Sequence, residues 1–332
     1  GTPRQRLFDG LYFGMHQREF VAEERRAAED EVFAPHFDAL LDPLDPLEPH
    51  QLGLSRGIRD IGREASFASC AGIGHAGDAT PELDERLLAT PTLALERCHT
   101  LITDMASYSL EALRESLLCV GENPEKYSSH IREDEAKTDH YEDIIGSYLV
   151  KLSARKIGEN DSALAAEYLR LIGDFERIAD HSVNVLEAAE EMRRKGITFS
   201  PAAQEEYAVI ADAVREVTAL AYDAYVSGNL SAAEKVEPLE QVIDDLKEEL
   251  RTRHIRRMQQ GTCGIEAGFI WSDLLNDLER VSDHCSNIAC CMIEGIDRSL
   301  RRHEVLQSIR GSGEAFDQTY RFFRGKYMLA GE

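Results

Sequence analysis

From about residue 83 onward, apolar residues recur three and four positions apart, the spacing of helices that each bury one face. Cys98, Leu101, Met105 and Tyr108 make one such stripe. Leu171, Phe175, Ile178, Ser182, Val185 and Ala189 make another, at coiled-coil spacing. Nothing between 83 and 295 alternates with the period of two that a half-buried strand requires. The pattern predicts six long helices, at about 92–119, 124–156, 161–194, 201–227, 231–259 and 264–295. Start signals stand at several boundaries. Asn123-Pro124 and Ser200-Pro201 each offer a cap followed by proline at the first helical position. Ser231-Ala-Ala-Glu234 reads as a capping box. Gly121, Gly158, Gly196 and Gly228 fall in the breaks. Short connections favour antiparallel neighbours, so the expected fold class is all-α.

The flanks are less regular. Residues 1–82 form an N-terminal region of unknown role, partly loop, with a single predicted helix at 17–32. Pro43, Pro46 and Pro49 exclude a helix from their segment, because each proline restrains its predecessor. Gly72, Gly74, Gly77 and Pro81 read as a loop. Residues 298–332 are a C-terminal tail with a short predicted helix at 313–325.

Self-similarity organises what lies between. Residues 173–187 read GDFERIADHSVNVLE, and residues 276–290 read NDLERVSDHCSNIAC. Asp174/Asp277, Glu176/Glu279, Arg177/Arg280, Asp180/Asp283, His181/His284 and Asn184/Asn287 are identical pairs, 103 residues apart. One helix earlier, Glu135 and Asp139 correspond to Glu240 and Asp244 at a separation of 105. Such periodicity predicts two repeated three-helix bundles side by side, at 83–197 and 198–297.

The repeats concentrate acids. Each has two E-x-x-x-D motifs: Glu135/Asp139 with Glu176/Asp180, then Glu240/Asp244 with Glu279/Asp283. Residues four apart on a helix differ by about 40° in direction, so each pair points one way. One such pair means little in a chain with 61 acids, but four at matched places suggest a site. If the helices of a repeat are neighbours, four carboxylates converge, which is costly unless a cation neutralises them; carboxylates suit hard or borderline metals. Glu135 and Glu142 also share a stripe with Ile131, Thr138, Ile145, Leu149 and Leu152, where a carboxylate needs a partner. Two alternatives stay open: Arg177 and Arg280 could pair with the acids in place of metal, or the acids form a solvated face. His181 and His284 lie about 140° round the helix from the motif glutamates, which favours hydrogen bonds across the bundle. Asn184 and Asn287 could extend the polar stripe.

Composition removes several function classes. Lys and Arg number 37 against 61 Asp and Glu, for a net charge of −24, which repels nucleic acid and anionic lipid. The densest basic stretch, Arg251 to Arg257, is short and reads as one helix face. The apolar runs reach about six residues, against the ~20 a membrane span needs. The first residues lack the apolar core of a signal peptide. The seven cysteines include no C-x-x-C and read as reduced thiols. Trp271 reads as core or interface, and no nucleophile elbow, zinc-protease motif or P-loop is present.

The repeated D-[FL]-E-R-[IV]-x-D-H-x-x-N string resembles the signature of PhoU-like proteins over about residues 92–295. Leu83 to Glu96 resembles the segment that joins the membrane part of bacterial sodium/phosphate cotransporters to their cytoplasmic PhoU-like domain, and Phe316 to Tyr327 resembles the end of those proteins. The resemblance implies a non-enzymatic regulator of phosphate uptake that binds divalent or ferric ions, iron or zinc foremost, through the motif carboxylates. It implies a phosphate transporter or membrane-bound uptake component as partner, with a homo-oligomer left open, no nucleic acid, and a cytoplasmic location, at the inner face of the membrane in one reading. The cotransporter's membrane helices have no counterpart here, so transport itself is not expected. A di-metal helical-bundle oxidase is the enzymatic alternative, but it needs Glu-x-x-His. Here Glu176 is followed by Ala179 and Glu279 by Ser282. A metal-free helical adaptor is the third reading.

Overall fold

The computed structural model describes residues 83–296 and 313–330. The helix expected at 17–32, the proline segment and the loop at 70–82 lie outside the described residues. Seven α-helices and no strand occur among the described residues. They are α1 (Pro91–Cys119), α2 (Ser128–Ser153), α3 (Glu159–Lys195), α4 (Pro201–Ser227), α5 (Leu230–Gln259), α6 (Ile265–Ile296) and α7 (Glu314–Lys326). The six long helices and the short one near the C-terminus all form where the periodicity places them.

Local chemistry sets the ends. Ser200 caps α4 by accepting the Ala203 N–H at 3.3 Å, with Pro201 at the first helical position. Gly196 ends α3 at φ +66°, a left-handed conformation that glycine adopts without a Cβ clash. Two starts differ from the sequence expectation. Asn123 accepts the Glu125 N–H and fixes a 3-10 turn at Pro124–Lys126, so α2 begins only at Ser128. At α5 the cap is Asn229, whose Oδ1 accepts the Ala232 N–H at 3.2 Å; Ser231 lies inside the helix and forms no capping box.

The helices α1, α2 and α3 pack on one another, as do α4, α5 and α6. Two pairings join the bundles, α3 on α6 and α1 on α4. The predicted stripes face inward: Cys98, Leu101, Met105, Leu171, Phe175, Ile178, Ser182, Val185 and Ala189 are buried, and Tyr108 is half-buried against the core. One apolar cluster runs through both bundles, and Trp271 is buried in it. A smaller cluster of Ala112, Cys119, Tyr127, Ile131, Leu186 and Ala189 closes one end of the first bundle.

Three α4 tyrosines turn their hydroxyls to α1 where the bundles meet. Tyr225 meets His99 Nδ1 at 2.9 Å, Tyr222 meets Ser107 at 3.0 Å, and Tyr207 donates to the Leu117 carbonyl at 3.1 Å. Burying phenols without such partners would cost stability. The tail helix α7 lies on α5: Phe323 is buried, Tyr320 donates to Asp245, and Arg324 pairs with Glu249. The six cysteines among the described residues are free. Among these residues, no helix is long and apolar enough to cross a membrane.

Candidate functional site

The pairing of α2 with α3 brings the first four motif acids into one neighbourhood. Burial raises the Glu135 carboxyl above the usual range, and the charges of Asp180, across on α3, and Asp139 push it further. Glu176 is raised to about 7 by burial first and then by Asp180, against the lowering effect of Arg177; Glu142 adds to the rise. Glu142 is itself raised by burial and by Asp139, Asp143 and Asp180. The first cluster therefore contains five carboxylates: Glu135, Asp139, Glu142, Glu176 and Asp180. Its near cation is Arg177, 3.3 Å from Glu176 and 3.0 Å from Asp180, on a side chain 58% exposed. Arg132 also acts on Glu135, but its guanidinium is engaged by Glu187 and Glu190.

The second bundle repeats the arrangement with one change. Asp244 on α5 is raised to about 6 by burial and by Glu279 and Asp283 on α6. Burial and Glu279 also raise Asp283. Glu240 is buried one turn before Asp244. Arg280 stands near Glu279 and Asp283, at 3.9 and 3.6 Å. Lys247 adds an ammonium 3.1 Å from Glu279 and partly opposes the rise of both Asp244 and Asp283. Lys247 follows Glu142 by the same 105 residues that separate Glu135 from Glu240. Sequence reasoning passed over it, although that separation was the signal that could have found it.

The repeated histidines serve a different purpose from the acids. His181 Nδ1 lies 2.9 Å from Asp277 Oδ1, and His284 Nδ1 lies 2.9 Å from Asp174 Oδ1. A carboxylate acceptor requires the proton on Nδ1 in both rings. Asn184 donates to the same Asp277 oxygen at 3.1 Å, and Asn287 donates to Asp174 at 2.9 Å. The asparagines thus cross to the other repeat and do not extend the acidic stripe along their own helix. Numbers rise on one helix as they fall on the other, so α3 and α6 run antiparallel. The two rings face each other at the crossing, with centroids 5.8 Å apart. This reciprocal Asp–His–Asn lock joins the repeats.

The donor chemistry of the first cluster, oxygen atoms from carboxylates alone, fits a hard or borderline cation. Its burial and crowding leave negative charge that one exposed guanidinium offsets only in part. In this arrangement of side chains, among the described residues, no three His, Cys, Asp or Glu groups form a ready-made metal-binding set. The acids are neighbours whose rotamers would have to close on an ion.

The sequence model of one family, the PhoU domain, matches residues 102–189 and again residues 208–292, one match in each bundle and together half of the chain. The chain belongs to the PhoU domain family. It is 26% identical over 149 residues to the phosphate-specific transport system accessory protein PhoU homolog 1 of Thermotoga maritima. That match covers 45% of this chain and 63% of the relative, so the chain spans less than two thirds of the relative's length. The crystal structure of PhoU from Pseudomonas aeruginosa superposes with a TM-score of 0.58 at 21% identity, covering 61% of this chain and 97% of that one. The phosphate transport system regulatory protein PhoU from Streptococcus pneumoniae gives a TM-score of 0.56 at 16% identity, covering 64% and 99%. At these identities the two structures establish the PhoU helical architecture.

Proposed function

We propose that this chain is a non-enzymatic regulator of phosphate uptake that acts on a phosphate transporter or another membrane-bound uptake component. The observation that carries this reading is the PhoU domain match to both bundles. The Thermotoga maritima relative is named for an accessory role in phosphate-specific transport, and we carry that role over to this chain. Within that reading we favour kinship with the cytoplasmic PhoU-like domain of sodium/phosphate cotransporters, at the inner face of the membrane. The two flanking segments that resemble such proteins support this choice. Residues 83–96 dock on the first bundle, where Tyr148 donates to the Asp84 carbonyl and Lys151 pairs with Glu85. The tail docks on the second bundle through α7.

The motif carboxylates, those of the first repeat foremost, are the proposed ligands of iron or zinc. A bound cation would supply charge neutralisation between α2 and α3. The chain's own residues do the rest: the buried stripes hold the two helices in register, and the lock between α3 and α6 ties each acidic helix to the other repeat.

Labelled-phosphate uptake in phosphate-replete cells tests the reading. Cells lacking this chain should take up phosphate faster, and returning the chain should restore restraint. Uptake that is the same with and without it would overturn the proposal.

A further inference from the structure

The two bundles share the motif acids but not the charge around them. In the first, Glu142 adds a fifth carboxylate to the cluster, and the near cation is the exposed Arg177. In the second, the equivalent position is Lys247, whose ammonium lies between α5 and α6 at 3.1 Å from Glu279, with only 18% of its side chain exposed. Its pull reaches Asp244 and Asp283 as well as Glu279. An ammonium so placed carries the charge that a bound cation would otherwise bring, and its volume and hydrogen-bond donors compete for the same oxygens.

We propose that Lys247 is the built-in counter-cation of the second cluster, so that a multivalent metal ion is taken by the first repeat only. The inference rests on the reading of the motif carboxylates as metal ligands and makes the duplicated sites unequal. The first is an ion-responsive element joining α2 to α3. The second is a permanent, ion-independent copy joining α5 to α6. Regulation by metal would then act on one half of the molecule, while the lock of Asp174 and Asp277 transmits or resists the change at the other.

The test compares full-length wild type with Lys247→Glu, Lys247→Met and Glu142→Lys, each purified without a metal-affinity step. Bound zinc or manganese is counted after equilibrium dialysis, and melting curves are taken with chelator and with added metal. Far-UV circular dichroism confirms folding. Wild type should bind at the first cluster alone. Lys247→Glu should roughly double the bound metal and gain metal-dependent melting, because five carboxylates then face each bundle. Lys247→Met, which keeps length and loses charge, should gain a weaker site and covers the case in which Lys247→Glu does not fold. Glu142→Lys should lose the wild-type site. Bound metal in wild type that does not increase in either Lys247 variant would overturn the inference while leaving the ligand reading standing. Metal gained by the Lys247 variants but not bound by wild type would sink the ligand reading for the first repeat and uphold the role of Lys247. No metal on any of the four proteins would overturn both.

Discussion

Glu176 is the residue whose environment says most. Its side chain is 14% exposed, and its carboxyl is raised from 4.5 to about 7 by burial and by Asp180. A raised carboxyl binds its proton more tightly in the folded chain than in the unfolded one. The metal-free protein therefore has the full benefit of the neutral form below about pH 4.5, and loses it as pH rises through 7. At ~1.4 kcal/mol per pKa unit the loss amounts to a few kcal/mol. Glu176→Gln should remove this slope: in chelator, the variant and wild type should have similar stability at pH 5, and the variant should be the more stable at pH 8. Urea unfolding across that range measures the difference, and parallel curves would show that Glu176 is an ordinary exposed acid. Asp244, raised to about 6, should give a smaller effect of the same sign, because Lys247 already opposes the rise.

At the scale of elements, caps and breaks decide where each helix starts. The sequence places the cap of α5 at Ser231, whereas Asn229, two residues earlier, is the cap in the structure. The structure selects Asn229, because Gly228 turns the chain at φ +63° directly before it. Asn229→Ala should then cost about 1 kcal/mol, the usual value of an N-cap, while Ser231→Ala at the exposed second helical position should be nearly silent. Thermal melting of the two variants separates these outcomes, and the reverse order would restore the capping box. The same local logic explains the delayed start of α2. Asn123 satisfies a turn amide early, and the chain makes one 3-10 turn before the α-helix proper.

For the whole molecule, the joint between bundles matters most. The core is continuous across it, and the polar part of the joint is the reciprocal lock at α3 and α6. Asp277→Ala would strand the donors of His181 and Asn184, and Asp174→Ala those of His284 and Asn287. Each should cost about 1–3 kcal/mol, chiefly the penalty for leaving the half-buried histidine donors unmade, since Asn184 is exposed. Because the two halves of the lock are equivalent by the repeat, the two losses should be similar. Denaturant unfolding of both variants checks this, and a large cost for one with none for the other would show that the symmetry is only apparent.

The sequence by itself determined the elements and their duplication. Helix period, proline and glycine punctuation and the identities at a separation of 103 are local or linear signals, and helices whose apolar stripes face one way have few other arrangements open to them. It also placed Glu135, Asp139, Glu176 and Asp180 on common faces, since direction along a helix follows from spacing alone. Tertiary structure decided what those faces meet. That His181 and Asn184 reach Asp277, ninety-odd residues away, depends on how α3 crosses α6, and no spacing within α3 contains that angle. That Lys247 enters the second cluster depends on α5 lying against α6, which turns a single charge reversal between repeats into a difference between two sites. Periodicity is written residue by residue, whereas the partner of a charge is fixed only when two helices touch.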